Sequence, residues 1–212
     1  MSHVSSRTPR FVRIGALIGV LFLALPIVGL LKRVAWSTLW GQLTDVATRD
    51  ALRISLYASV SATLLALVLG LPLAWCLARM QFAGRRFVRA LVLLPMVLPP
   101  VVGGVALLGA YGKTSGLLGG VLDTLFGIQL TYSLWGVIIA ETFVALPFLV
   151  LALEGGFRSI DTKYEDAAAV MGAKDLTRFM RVTLPLLKPS LVAGLMLAWA
   201  RALGEFGATI TF

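Results

Sequence analysis

Residues 164–212 read YEDAAAVMGAKDLTRFMRVTLPLLKPSLVAGLMLAWARALGEFGATITF. A charged, glycine-punctuated segment leads into a long apolar run that carries Arg201 and Glu205 near its end. Another apolar run, Leu130–Leu153, precedes the charged segment. About 20 apolar residues in a helix cover the hydrocarbon core of a bilayer. A wet, helical loop between two such spans is a surface on which a soluble partner docks. The stretch therefore points to a membrane protein that works with something outside the membrane.

The rest of the chain has the same character. Of its 212 residues, 58% are hydrophobic and 14% charged, with a mean hydropathy of +0.91. Soluble domains carry about 25% charged residues, so composition alone places the chain in the bilayer class. In hydrocarbon a helix satisfies its own backbone groups, and the expected fold is all-α, a polytopic helical bundle. Five stretches qualify as spans: Ile14–Leu31, Ile54–Ala78, Ala90–Tyr111, Leu130–Leu153 and Leu184 to about Ala208. Pro26, Pro72, Pro95, Pro99, Pro100 and Pro147 fall inside them, where neighbouring helices satisfy the freed carbonyls. The first run, about 18 residues long, exceeds the roughly 7–15 of a signal peptide. Lys32 and Arg33 follow it without a small-residue cleavage site, so it reads as a retained span.

The net charge of +9 does not require nucleic acid. Thirteen of the Lys and Arg residues fall in connections on one side of the expected topology and four on the other. The first set comprises Arg7, Arg10 and Arg13, then Arg79, Arg85, Arg86 and Arg89, then Arg158, Lys163, Lys174, Arg178, Arg181 and Lys188. The richer side belongs in the cytoplasm, which puts the N-terminus and the loop 154–188 inside. Residues 1–49 read as a tail, an added first span and an outer loop, and residues 50–212 as the transmembrane domain. Trp36 and Trp40 fit an interfacial aromatic belt. Gly112–Gln129 is a glycine-rich re-entrant or surface loop. The single cysteine, Cys76, excludes an internal disulfide and a cysteine-based metal site. The lone His3, in a polar tail, argues against a histidine-centred active site.

Within the wet loop, Thr162-Lys163-Tyr164-Glu165 fits a capping box, with Asp161 as the alternative cap. The helix it opens runs to Gly172, a natural stop. Tyr164, Ala167, Ala168 and Met171 share one face at helical spacing, with Glu165, Asp166 and Ala169 off it. Asp175 caps a second short helix, Leu176–Val182, and Leu184-Pro185 turns the chain back into the membrane. These features alone leave a docking helix and an ordinary headgroup-level helix both open.

The pattern Asp166-Ala167-Ala168, three residues, Gly172, nine residues, Val182-Thr183-Leu184-Pro185 resembles the EAA loop of ABC-importer permeases. That loop reads Glu-Ala-Ala, three residues, Gly, nine residues, Ile, any residue, Leu-Pro. Every spacing agrees, with Asp166 for Glu, just after Glu165, and Val182 for Ile. The resemblance implies a type I permease bundle. Glu165, Asp166, Ala167, Ala168, Gly172, Ala173, Leu184 and Pro185 would then form the segment that couples to a cytoplasmic ATPase. Leu94-Pro95-Met96-Val97-Leu98-Pro99-Pro100-Val101-Val102-Gly103 resembles the third span of molybdate permeases. Residues 200–212, ARALGEFGATITF, resemble the signature closing their next-to-last core span. Sulfate permeases share an Arg-x-x-Gly-Glu-Phe-Gly core, and the Ala-Thr-Ile-Thr-Phe ending favours molybdate. The likeness covers about Asp50 to Phe212. Relatives continue through at least one more membrane helix, so the resemblance predicts that this sequence lacks the final span, as a fragment or a truncated product.

The family further implies two permease copies, two ATPase subunits that use the ATP, and an external molybdate-binding protein, all working in membrane lipid. No Walker-A, GxSxG or HExxH pattern occurs; no catalytic residue, bound cofactor or metal is expected in this chain. A sulfate or thiosulfate permease is the near alternative, and an ATPase-independent secondary transporter or channel the distant one.

Ionisable residues inside a membrane are costly and functional by default. Arg201 and Glu205, four apart, share a helix face and read either as a structural ion pair or as part of the anion pathway. Pro99, Pro100, Gly103, Gly207 and Thr209 complete the pathway and gate candidates, although packing is the simpler use of Gly103. Gly204 and Gly207 allow a bend or close helix approach. Glu141 reads as protonated, or as paired with Arg53 or Arg201.

Overall fold

The computed structural model describes residues 9–113, 116–127, 129–205 and 207–212, and among them there is no strand. His3, Arg7 and Phe206 lie outside the described residues. The chain forms two compact units, Met1–Ala51 and Leu52–Phe212.

The first unit holds α1 (Arg10–Arg33), α2 (Trp36–Thr44) and the start of α3 (Val46–Arg79). The α1 helix has 24 residues, about 36 Å at 1.5 Å per residue. Its last turn leaves carbonyls unbonded. The Trp36 indole answers one of them, donating Nε1–H to the Leu31 carbonyl oxygen at 3.1 Å.

The second unit continues α3 and adds α4 (Arg85–Val97), α5 (Pro100–Tyr111), α6 (Gly119–Phe126) and α7 (Leu134–Ser159). It ends with α8 (Lys163–Val170), α9 (Asp175–Arg178), α10 (Leu184–Leu203) and α11 (Gly207–Thr211). Its centre is α7, the most buried of the long helices. Small residues let α3 approach it. Ala58, Ala62, Ala66, Gly70 and Ala74 recur every fourth position and are all buried. They form an i±4 ridge. A Cβ on Gly70 would meet the Leu146 and Val150 side chains at 3.3 Å. Packing of this kind holds helices together in lipid, where the hydrophobic effect does not. Polar bonds reinforce it. Thr142 Oγ1 donates to the Ala62 carbonyl oxygen at 3.4 Å, and Trp199 Nε1 donates to Ser59 Oγ at 3.3 Å.

On its other side α7 meets α10 through glycines. A Cβ on Gly156 would lie 2.5 Å from Ser190 Cβ, and one on Gly194 would lie 3.0 Å from Ala152 Cβ. Leu149, Leu153, Phe157 and Leu187 fill the core between these helices.

Among the described residues, four helices are long and apolar enough to cross a membrane: Phe11–Arg33, Val46–Arg79, Leu134–Ser159 and Asp175–Leu203. The expected third span, Ala90–Tyr111, is not one helix. Pro99 and Pro100 break it into α4 and α5, since the residue before a proline is pushed out of the helical region. Leu98 is indeed extended, at ψ 135°. The two halves serve different neighbours, α4 packing on α7 and α5 on α11. The expected fifth span also stops early, at Leu203 rather than near Ala208, with Gly204 as its cap. In the Gly112–Gln129 loop, α6 is helical, and Lys113 pairs with Asp123 at 3.1 Å.

Candidate functional site

Two groups of residues carry the candidate chemistry. They sit at opposite ends of α10, whose 17 steps from Leu184 to Arg201 cover about 25 Å.

The first is the loop segment. Asp161, not Thr162, closes the start of α8, with its Oδ1 accepting from the Lys163 N–H at 3.0 Å. Thr162 makes no capping bond, so the capping box does not form. Glu165 is used elsewhere: its Oε1 accepts from Thr183 Oγ1 at 2.9 Å and lies 3.4 Å from Arg79 Nη2. Arg79 Nη2 also donates to the Ile160 carbonyl oxygen at 3.3 Å. One carboxylate thus ties α8 to the end of α3 and to the entrance of α10.

At the far end of α8, Gly172 has φ +83°. Its N–H donates to the Ala169 carbonyl oxygen, and the Ala173 N–H donates to that of Ala168. This bond pair is a Schellman turn, which needs a left-handed residue at this position. The chain then does not turn back at Leu184-Pro185. It runs as one helix from Asp175 to Leu203, through a π-helical stretch, Phe179–Thr183. Pro185 has no N–H to give the Arg181 carbonyl, and the Leu184 N–H reaches five residues back, to Phe179. The π stretch is fastened by aromatic edges. Trp75 of α3 packs T-shaped on Phe179 at 5.4 Å and on Phe157 of α7 at 5.2 Å.

These bonds sort the faces of α8. Glu165 and Ala168 face inward, while Tyr164, Asp166 and Ala167 are exposed. Val170, Met171 and Leu176 are 90%, 81% and 73% exposed. The expected stripe is corrected accordingly: Ala168 leaves the outer face, and Val170 and Leu176 join it. Ala173 is half-buried, and Leu184 and Pro185 open α10. Sequence reasoning missed the clamp partners Arg79, Thr183 and Trp75, which come from distant positions and carry no local signal. Glu154 was missed too. It is 2% exposed and sits between Arg89 at 3.1 Å and Arg158 at 2.6 Å. Its i,i+4 spacing to Arg158 was the available signal.

The clamp has a measurable consequence. Glu165→Ala leaves the buried Thr183 hydroxyl without its acceptor and Arg79 with only the Ile160 carbonyl. It is expected to cost roughly 1–3 kcal/mol, the penalty for stranding a buried donor. The thermal midpoint of the purified protein in detergent measures it, and Glu165→Gln, which keeps an acceptor, is expected to lose less.

The second group lies at the other end of α10. Arg201 and Glu205 form an ion pair at 2.7 Å, with the Glu205 side chain 1% exposed. A Cβ on Gly207 would lie 2.6 Å from Pro100 Cβ, so α11 rests directly on the start of α5. A Cβ on Gly103 would meet Phe143 Cε1 at 3.5 Å, an ordinary contact distance. Phe212 is buried with Leu107 and Ala140, and its ring meets Tyr111 edge-on at 6.4 Å. Glu141 is 4% exposed and pairs with neither Arg53 nor Arg201 among the described residues, where Arg201 pairs with Glu205. Among the described residues, Glu141 Oε2 and Thr209 Oγ1 are buried without a hydrogen-bond partner. The structure therefore unites Pro100 with Gly207 and Arg201 with Glu205, with Gly103 one turn along α5 from Pro100.

Residues 66–212 match the model of a family described as binding-protein-dependent transport system inner membrane component. The chain belongs to this family. It is a membrane-embedded permease of the ABC-importer class, and both residue groups fall within the matched region. The permease is 46% identical over 210 residues to the molybdenum transport system permease protein ModB of Mycobacterium bovis, covering 99% of this chain and 79% of that one. It is also 46% identical to a probable molybdenum ABC transporter permease protein of Haloferax volcanii, over 66% of this chain and 49% of that one. It is 36% identical to the sulfate transport system permease protein CysT of Salmonella typhimurium, over 90% of this chain and 69% of that one.

Proposed function

We propose that this permease conducts molybdate into the cell, as the membrane-spanning half of an ATP-driven importer. The observation that carries the reading is the greater identity to molybdenum permeases than to a sulfate permease. The geometry of the loop segment supplies its mechanism. Two copies of the chain form the pathway, with the N-terminus and residues 154–188 in the cytoplasm. Residues 50–212 act as the transport domain, and residues 1–49 supply an additional span. An ATPase subunit docks on each copy through Tyr164, Asp166, Ala167, Val170, Met171 and Leu176. An external binding protein delivers the oxyanion, and ATP is used only by the partner.

Coupling works through the clamp. Movement of α8 is passed by Glu165 to α3 through Arg79 and to α10 through Thr183. The rigid α10 carries it to the Arg201–Glu205 end. A partner shifts this equilibrium only by binding the two states with different affinity. At the far end the paired Arg201 offers an oxyanion a passing contact rather than a deep well, as conduction requires.

The test is reconstitution with the partner ATPase and binding protein in lipid vesicles. ATP hydrolysis is expected to rise when the binding protein is loaded with molybdate and to stay basal with sulfate. Stimulation by sulfate alone would transfer the permease to the sulfate branch, and hydrolysis that ignores both would end the coupling assignment.

A further inference from the structure

A cluster of arginines lies at the loop-segment end of the bundle. A cavity of about 450 Å³ is lined by Ala78, Arg85, Arg86, Arg89 and Arg158. Four guanidiniums from α4 and α7 thus line it, beside a single buried carboxylate, Glu154. Three of the four are held in place. Glu154 takes one Nη2 each from Arg89 and Arg158, and Arg85 Nη2 donates to the Leu77 carbonyl oxygen at the end of α3. Each guanidinium has five N–H donors in a rigid fork, so most remain available. Arg86 is exposed and has no carboxylate partner among the described residues. Phe82 is exposed and lines an adjoining cavity with Arg85 and Arg86, while Phe87 and Leu91 are exposed on the opposite face of α4.

Fixed arginine forks suit a tetrahedral oxyanion, which they bind through paired, charge-assisted hydrogen bonds. An exposed aromatic side chain beside a basic cavity of a membrane protein meets acyl chains. We propose that this cavity binds the phosphate of an anionic phospholipid, with Phe82 against its chains. The bound headgroup joins α4 to α7 at Glu154, a few residues before the coupling helix α8. Lipid binding there does not depend on which anion the permease carries.

The experiment is native mass spectrometry of the intact permease–ATPase complex, titrated with phosphatidylglycerol or with phosphatidylcholine of the same chains. Phosphatidylglycerol is expected to be retained preferentially. Arg86→Gln is expected to weaken it about fivefold, the effect of one basic residue at an anionic membrane surface, and Arg86→Lys to restore most of it. Arg86 supports no other side chain, so its loss leaves the fold intact. Equal retention of the two lipids, or retention unchanged in Arg86→Gln, would overturn the proposal. Displacement of phosphatidylglycerol by excess inorganic phosphate would overturn the lipid assignment and make this a soluble-oxyanion site.

Discussion

Gly156→Leu is expected to abolish the folded permease, whereas Gly155→Leu, one residue away, is expected to be tolerated. A side chain at Gly156 would start 2.5 Å from Ser190 Cβ and 2.9 Å from Leu187 Cδ1, on the facing helix α10. The α7 side of this seam is buried, and the Ser190 and Leu187 side chains stand directly opposite on α10. Overpacking a tight core costs about 1–3 kcal/mol and occasionally more. A clash with a neighbour's Cβ lies at the upper end of that range. At Gly155 nothing stands within 4 Å of the added Cβ, and a leucine there improves helix propensity by close to 1 kcal/mol. Size-exclusion profiles of the two variants in detergent, before and after heating, separate them. Equal behaviour would mean that α7 and α10 do not pack as described.

The second large effect is on coupling. Gly172→Val is expected to bring transport close to background while lowering the thermal midpoint by only about 2–8 °C, at about 2–4 °C per kcal/mol. The space around Gly172 is open, so bulk is not the difficulty. Its φ of +83° is. A left-handed conformation costs an ordinary residue roughly 1–2 kcal/mol, and a β-branched side chain is worse placed still. Valine relaxes to negative φ, which dissolves the Schellman turn and moves the Val170–Met171 edge offered to the ATPase. Asparagine tolerates this conformation, so Gly172→Asn is expected to keep most transport. Uptake assays on the two variants, with membrane levels matched by immunoblot, decide the matter. Normal uptake by the valine variant would remove Gly172 from the coupling machinery.

The membrane class, the wet loop and the stop at Gly172 were legible because each rests on local signals: apolar length, charge placement and a glycine. The Pro99–Pro100 break was legible as a kink but not as two separate helices, since the partners of α5, Gly207 above all, lie over a hundred residues away. The ridge from Ala58 to Ala74 was present in the sequence as a fourfold repeat of small residues. It passed unread because a hydropathy scan scores alanine as merely apolar. The role of Glu165 was misread for a different reason. A capping box is a local expectation, and tertiary donors outcompete it when an arginine and a threonine from other helices converge on the same carboxylate.

The most direct measurement is uptake of labelled molybdate by cells lacking their own molybdate permease, supplied with this chain, its ATPase and its binding protein. The account predicts uptake that requires a hydrolysis-competent ATPase and is unaffected by excess sulfate. Uptake that persists with an inactive ATPase, or that sulfate abolishes, would contradict it.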